Sequence, residues 1–448
     1  MKAIMRDERE MKDSGIEWIG QLPMDWTVMT IKYTSWLKGR IGWQGLKSTE
    51  FVDNGPYLIT GTDFKNGIVN WETCAHITDD RFIEDEDIHI VEDDLLITKD
   101  GTIGKVAIAK NCPEKVSLNS GVLLIRNDKI KYIDKYLYYT LLSEEFILWY
   151  ELNQPQNSTI RHLYQGQFYN FKFAFPHYDE QQAIANYLDD RCSKIDAIIA
   201  EAKASIEEYK ELKQAVIYEA VTKGLDKNVS MKDSGIEWIG KIPKQWKIAR
   251  LGRGLEFIQT GPFGSQLHSD EYIEDGIPVV NPANIKNLEI KIDNKCTLST
   301  EKANELQQHI MTPHEIVFGR RGEMGRCACV PDDGKTYFCG TGCIRMRCNN
   351  LLYSDYLILF LSSETAKQYY ELNSVGTTMS NLNSEIISAT PTLYPPIDEQ
   401  RNIVSHINEI VPKYDNLIIE KQSLIEDLEA YKKSLIYEVV TGKRKVVA

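Results

Sequence analysis

The chain has 448 residues, 42% hydrophobic and 26% charged, and a formal net charge of −13. That length and composition fit a globular protein of about two to four domains, and the acidic balance argues against holding nucleic acid by bulk positive charge. No apolar run approaches the roughly 20 residues of a membrane span, residues 1–10 lack the apolar core of a signal peptide, and nine cysteines without a secretion signal read as reduced thiols. A cytoplasmic location is the expectation.

After a polar extension over residues 1–10 comes Met11-Lys-Asp-Ser-Gly-Ile-Glu-Trp-Ile-Gly20, which returns letter for letter at 231–240. A period of 220 residues is far longer than a solenoid repeat of about 20–50, so each copy is a whole domain or more. The block reads as a turn or short helical piece that docks by its Trp and Ile side chains, a packing clasp without a catalytic group. From about 27 to 175, β-rich runs (57–60, 88–91, 95–98, 105–108 and 121–125) alternate with Gly, Asn and Asp turns, and 133–152 reads as an apolar helix. The second copy repeats this over 247–394, with strand candidates at 279–280, 315–318 and 343–346 and a helix over 353–372.

Each copy closes with a long helical stretch, 179–222 and 398–441, opened by Pro-x-x-Asp-Glu-Gln. In the first, Ile184, Leu188, Ile195, Ile199 and Ile206 form one stripe; Ile403, Ile407, Ile418, Ile425 and Leu435 map onto it 219 residues later. A 44-residue helix is roughly 65 Å long, more than one domain buries. The two should therefore pack as an antiparallel coiled coil, with Pro412 kinking or interrupting the second.

Enzymatic motifs do not close. Gly101-Thr-Ile-Gly104-Lys105 has the wrong spacing and final residue for a phosphate loop. Asn281-Pro-Ala-Asn284 and Tyr394-Pro-Pro-Ile397 miss the methyltransferase pattern, and Pro331-Asp-Asp-Gly-Lys335 reads as a turn. Cys327, Cys329, Cys339, Cys343 and Cys348 could supply zinc thiolates, but C-x₂-C pairs are lacking. The first four fall opposite Val106, Ile108, Leu118 and Val122, so they read as small buried hydrophobes. What both copies share is a turn with two glycines and a cation, Gly101, Gly104 and Lys105 against Gly322, Gly325 and Arg326, beside Lys99, Arg320 and Arg321. Such a turn suits a backbone approach to DNA phosphate, or a plain hairpin.

Two divergent α+β segments, each followed by a long helix behind Pro-x-x-Asp-Glu-Gln and headed by a repeated Trp-containing block, resemble the specificity (S) subunit of type I restriction-modification systems. The resemblance covers essentially the whole chain, and stretches such as Gly42-Trp-Gln-Gly45, Lys99-Asp-Gly-Thr-Ile-Gly-Lys105 and Thr260-Gly-Pro-Phe-Gly-Ser-Gln-Leu-His268 look like its target-recognition domains. It implies an α+β fold of two similar target-recognition domains (1–178 and 226–396) and two long spacer helices (179–225 and 397–442) in an antiparallel coiled coil. It also implies a non-catalytic subunit that reads a bipartite site on double-stranded DNA and recruits two methyltransferase (M) and further restriction (R) subunits. No cofactor is expected in this chain; S-adenosylmethionine, ATP and Mg²⁺ would belong to the partners.

The acidic balance then has to lie away from DNA. Eleven carboxylates between Glu72 and Asp100 fit that expectation, while Lys38, Arg40, Gln44 and Lys47 in one copy and Gln259, Gln266, His268, Arg320 and Arg321 in the other are candidate contacts, with Lys99, Lys105 and Arg326 on the turns. The alternative is a tandem-domain coiled-coil scaffold that binds proteins only; it has no use for two Gly-and-cation turns.

Overall fold

A computed structural model describes residues 1–40, 46–127, 132–154, 161–264, 266–373 and 382–447. The chain divides into two compact units, Met1–Ala202 with Ser423–Ala448, and Lys203–Gln422. Two long helices, α1 (Tyr178–Lys223) and α2 (Ile397–Val440), each contribute one half to either unit.

In the first unit the decapeptide is a β-hairpin: Met11–Asp13 pairs antiparallel with Gln21–Pro23. Gly15 and Gly20 sit at φ +67° and +66°, where a Cβ is strained, which is why glycine stands at both. Ile19 and, just beyond, Trp26 are fully buried. The segment that follows enters on strand Thr27–Thr30 and leaves on Lys172–Phe175, and these two strands pair with each other. Between them lies a six-stranded sheet in the order Ser35–Lys38, Val122–Asn127, Leu95–Thr98, Val106–Ile108, Ile68–Val69, Phe64–Lys65, with a three-stranded sheet of Val116–Leu118, Val52–Ile59 and Ala75–His76. Ile59, Leu96, Leu118, Val122 and Leu124 fill the core.

Two local expectations fail. Residues 88–91 make no strand beyond a single bridge from His89 to Ser117, because His89 N–H turns back to Glu86 O and Val91 N–H is taken by the Asp94 carboxylate at 2.8 Å. The helix over 133–152 is two, Asp134–Leu142 and Glu144–Leu152, broken where Ser143 adopts an extended φ/ψ of −80°/163°.

The repeated Asp-Glu-Gln now has a reason. Glu180, in the first turn of α1, accepts the Trp26 indole N–H at 2.8 Å and pairs with Arg6 at 2.6 Å. Gln181 is buried, accepts Ile133 N–H at 3.0 Å and donates to Pro176 O at 2.9 Å, so one side chain ties the helix start to the domain behind it. The second unit uses the same bonds: Trp246 to Glu399 at 3.0 Å, Tyr353 N–H to Gln400 at 2.8 Å, and Gln400 to Pro395 O at 2.9 Å. Removing a buried amide that serves two backbone groups orphans both, which is costly.

Within each unit the helix halves run antiparallel. In the first, Arg6 holds Glu180 while its own N–H meets Lys443 O, and further along Asp196 meets Lys432 at 2.6 Å. In the second, Lys213 meets Asp415 at 2.6 Å. Ile184, Leu188, Ile195, Ile199, Ile206, Ile403, Ile407, Ile425 and Leu435 are buried, and Ile418 is half-buried. α2 runs through Pro412 without the interruption that was one of the two expected outcomes there; Pro412 and Asn408, whose carbonyl loses its donor, are both exposed, so water can serve that carbonyl.

The second unit repeats the plan with Leu255–Thr260, Cys343–Cys348, Ile316–Gly319 and Cys327–Cys329 in one sheet and Thr297–Leu298, Ile277–Val280, Tyr337–Cys339 and Ile310–Met311 in the other. Its apolar helix is again two, Ser354–Leu361 and Glu364–Asn373. Cys327, Cys339 and Cys343 are fully buried on these strands, at the places of Val106, Leu118 and Val122, and burial pushes the Cys339 thiol up to about 12.

One buried acid sets a pH dependence. Glu145 is fully enclosed, accepts Ala174 N–H at 3.1 Å through Oε1, and has no partner at Oε2 among the described residues; burial pushes its carboxyl up to about 8. The folded chain holds this proton over a pH range in which the unfolded chain, ionising near 4.5, has released it. Glu145 therefore favours folding fully below pH 4.5 and loses about 1.4 kcal/mol per pH unit from there to about 8. Glu145→Gln keeps the acceptor without the proton, so its stability relative to wild type should rise between pH 5 and 8 in chemical denaturation. A pH-independent difference would show that the carboxyl does not carry the effect.

Candidate nucleic-acid interface

The Gly-and-cation turns form in both units, each at the end of a central strand. In the second, Gly319 N–H bonds Arg326 O at 2.8 Å and closes a turn through Arg320, Arg321 and Gly322. In the first, Thr98 N–H bonds Lys105 O at 2.9 Å across the same turn. Gly104 and Gly325 have φ of +82° and +81°, and a Cβ there would come within 3.1 Å of the Phe146 ring and 3.0 Å of Leu361 O, so both are required on two counts.

The roots are equivalent to the hydrogen bond. Lys99 N–H bonds Gly121 O at 2.9 Å and Leu163 N–H bonds Lys99 O at 2.9 Å; Arg320 N–H bonds Gly342 O at 3.0 Å and Leu382 N–H bonds Arg320 O at 3.0 Å. The side chains presented differ. The first turn carries half-buried Lys99, its ammonium held below the ordinary value by burial, then Asp100, which is paired with His162, and exposed Lys105. The second carries Arg320, lowered by burial and then by its neighbour Arg321, next exposed Arg321, and Arg326, which is paired with Glu323 at 2.7 Å. One scaffold thus offers an acid at one position in the first unit and an arginine there in the second.

The other candidates separate. Arg40 is 1% exposed, donates to Leu118 O at 2.9 Å and Ser117 Oγ at 3.1 Å, and faces Glu84 at 3.7 Å, so its guanidinium braces the β-sheet. Lys38 is paired with Asp87 at 2.9 Å and Asp85 at 3.5 Å. The acidic run therefore does not lie apart from the cations, as charge bookkeeping suggested; residues 84–87 reach back and neutralise two of them. Gln44 lies outside the described residues. Lys47 is exposed, Gln259 half-buried on its strand, and Gln266 and His268 are exposed on the loop after that strand.

Sequence reading missed two features. Phe263, inside the Thr260–His268 loop, is 68% exposed. Each unit also presents an exposed apolar pair on its helix halves: Ile198 and Tyr431 in the first, Leu212 and Leu417 in the second, 45%, 48%, 41% and 38% exposed. The two pairs are equivalent in the repeat, since Leu417 and Tyr431 lie 219 residues after Ile198 and Leu212. That arithmetic was available from the sequence, but exposure was not.

The chain matches the family model for the type I restriction modification DNA specificity domain twice, at residues 40–208 and 243–430. It is 24% identical to the type I restriction enzyme MjaVIII specificity subunit of Methanocaldococcus jannaschii, covering 95% of this chain and 94% of the relative, and 23% identical to the EcoBI specificity subunit of Escherichia coli, covering 84% and 77%. The same fold occurs in a chain from work on complex assembly and conformational transition of the type I R-M system (14% identity, TM-score 0.72, covering 94% of this chain and 99% of that one). It occurs also in the HsdS subunit from Thermoanaerobacter tengcongensis (14%, TM-score 0.52, covering 94% and 98%).

Proposed function

Since the chain belongs to the type I restriction-modification specificity family and carries its DNA specificity domain twice, we propose that each unit reads one half of a bipartite site on double-stranded DNA and that the helices recruit the catalytic partners. The observation that carries this reading is the pair of turns rooted on identical backbone bonds yet presenting different charges, as two readers of different half-sites require. The chain is a specificity subunit rather than a catalyst. On this reading the S-adenosylmethionine, ATP and Mg²⁺ chemistry resides in the methyltransferase and restriction subunits. The repeated apolar pairs give each of two methyltransferase subunits an equivalent dock, Ile198 with Tyr431 and Leu212 with Leu417.

Arg321→Ala tests the interface, with binding to the mapped site followed across salt concentration. The variant should weaken recognition of the second half-site alone. A bidentate base contact predicts a loss of about 1–3 kcal/mol with relaxed preference at one position, and a phosphate contact predicts weaker binding to all sequences with a salt slope shallower by about one. Arg40→Ala should instead cost stability and leave the recognised bases unchanged. Unaltered affinity and motif in Arg321→Ala would remove this turn from the interface.

A further inference from the structure

The loop that leaves strand Leu255–Thr260 is locked at both sides of one exposed ring. Gly261 donates its N–H to Cys343 O at 2.9 Å and lies so close to the Gly340 carbonyl that a Cβ would fall 2.0 Å from its oxygen. Pro262 is buried on one side of the tip and Leu267 on the other, where it joins Val279 and Leu298 in a small core. Between them Phe263 donates its N–H to the Gln266 side-chain oxygen at 3.0 Å and receives Gln266 N–H on its own carbonyl at 2.8 Å. The residues on either side of the tip are thus bonded or buried, yet its phenyl ring stands 68% in water. A phenyl ring left in water offers apolar area that only a contact outside this chain can bury.

The position says what the ring meets. Gly261 and Arg320 are both rooted on the turn 340–343, through Cys343 O and Gly342 O, so the Phe263 loop and the Arg320–Arg321 turn leave the domain from one edge. A cationic turn beside an exposed aromatic is the chemistry of a backbone clamp with a stacking platform or wedge. The first copy also places an aromatic after its equivalent strand, Trp43 in Gly42-Trp43-Gln44, outside the described residues. We propose that Phe263 stacks on a nucleobase of the second half-site and opens one base step there. This makes it a specificity residue acting through DNA deformability as well as contact. It rests on the DNA-reading function above.

The test uses the full chain with its methyltransferase subunits on duplexes of the mapped site, with 2-aminopurine placed in turn at each purine of the second half. At purines other than the adenine that a methyltransferase subunit flips out, wild type and Phe263→Trp should raise the fluorescence at one step several-fold. Phe263→Ala should abolish the rise and weaken specific binding roughly ten- to a hundredfold, with reading of the first half-site unchanged. A Phe263→Ala complex with wild-type affinity and fluorescence would overturn the proposal, and so would loss of a methyltransferase subunit from that complex, which would make the ring a protein contact. A wild-type complex that did not prefer the mapped duplex would instead overturn the DNA-reading function itself.

Discussion

On the proposed docking of two methyltransferase subunits, aspartates placed together at Ile198 and Tyr431 are expected to leave a complex holding one of them, and Leu212→Asp with Leu417→Asp should remove the other. The pairs are defined by register within each unit. Asp196 bonds Lys432 beside the first and Lys213 bonds Asp415 beside the second, so the two members of each pair stand at matched heights on opposed helix halves. All four side chains are too exposed to be coiled-coil core, unlike Ile195 and Ile199 or Leu435 on the packed stripe. A carboxylate pair enclosed in an apolar interface has no counter-charge and costs several kcal/mol, which corresponds to a loss of a hundredfold or more in affinity. In the free chain the same residues face water, so the melting temperature should move little. Native mass spectrometry separates complexes with two, one and no methyltransferase subunits. Retention of both by the Ile198→Asp, Tyr431→Asp chain, at concentrations near the wild-type dissociation constant, would place the dock elsewhere.

What the sequence made legible was whatever repeats with a period. The 220-residue recurrence located both units, and the 3.5-to-4 spacing of Ile184, Leu188 and Ile195 located the helices and their buried stripe. Through-space pairing was not legible. Glu84 to Asp87 are more than forty residues from Lys38 and Arg40 in sequence, and only folding brings them together to occupy those cations. Helix ends were blurred for a related reason: Ser143 carries no breaker signal as strong as Gly or Pro, whereas Pro412, which does, sits on an exposed face where its missing donor is cheap. The Glu and Gln of Pro-x-x-Asp-Glu-Gln repeated visibly, but that they receive an indole N–H and a backbone N–H follows only once Trp26 and Ile133 are beside the helix start.

Exchanging residues 247–394 for the corresponding segment of a relative with a different target should rewrite the second half-site and leave the first intact. The structure gives the reason for these boundaries. The segment enters on Lys247–Arg250 and leaves on Pro391–Tyr394, and the two strands pair in register, Lys247 opposite Tyr394 and Arg250 opposite Pro391, so both junctions lie on one ladder and the exchanged piece closes on itself. Among the described residues three hydrogen bonds and a shared apolar core tie it to the frame, Gln400 also donating to Leu351 O at 2.9 Å. Gln400 takes the N–H of Tyr353, which nearly any residue at that place supplies, while Tyr356 Oη lies 3.1 Å from Val221 O at the end of α1, so the donor segment must keep that tyrosine. The first unit satisfies the same condition with Tyr136, 3.0 Å from Val440 O, so 27–175 should exchange equally well. Methylome mapping of cells carrying each chimera with the methyltransferase subunit reads the result directly. A chimera that methylates a site changed in both halves would mean that recognition is not divided between the inserts. A chimera lacking the tyrosine should be less stable, and methylate less for that reason, since Val221 O would be left buried without its donor, at a cost of about 1–3 kcal/mol. Restoring the hydroxyl alone should then rescue methylation without altering the new half-site, because the tyrosine faces the frame and not the edge that carries Arg321 and Phe263.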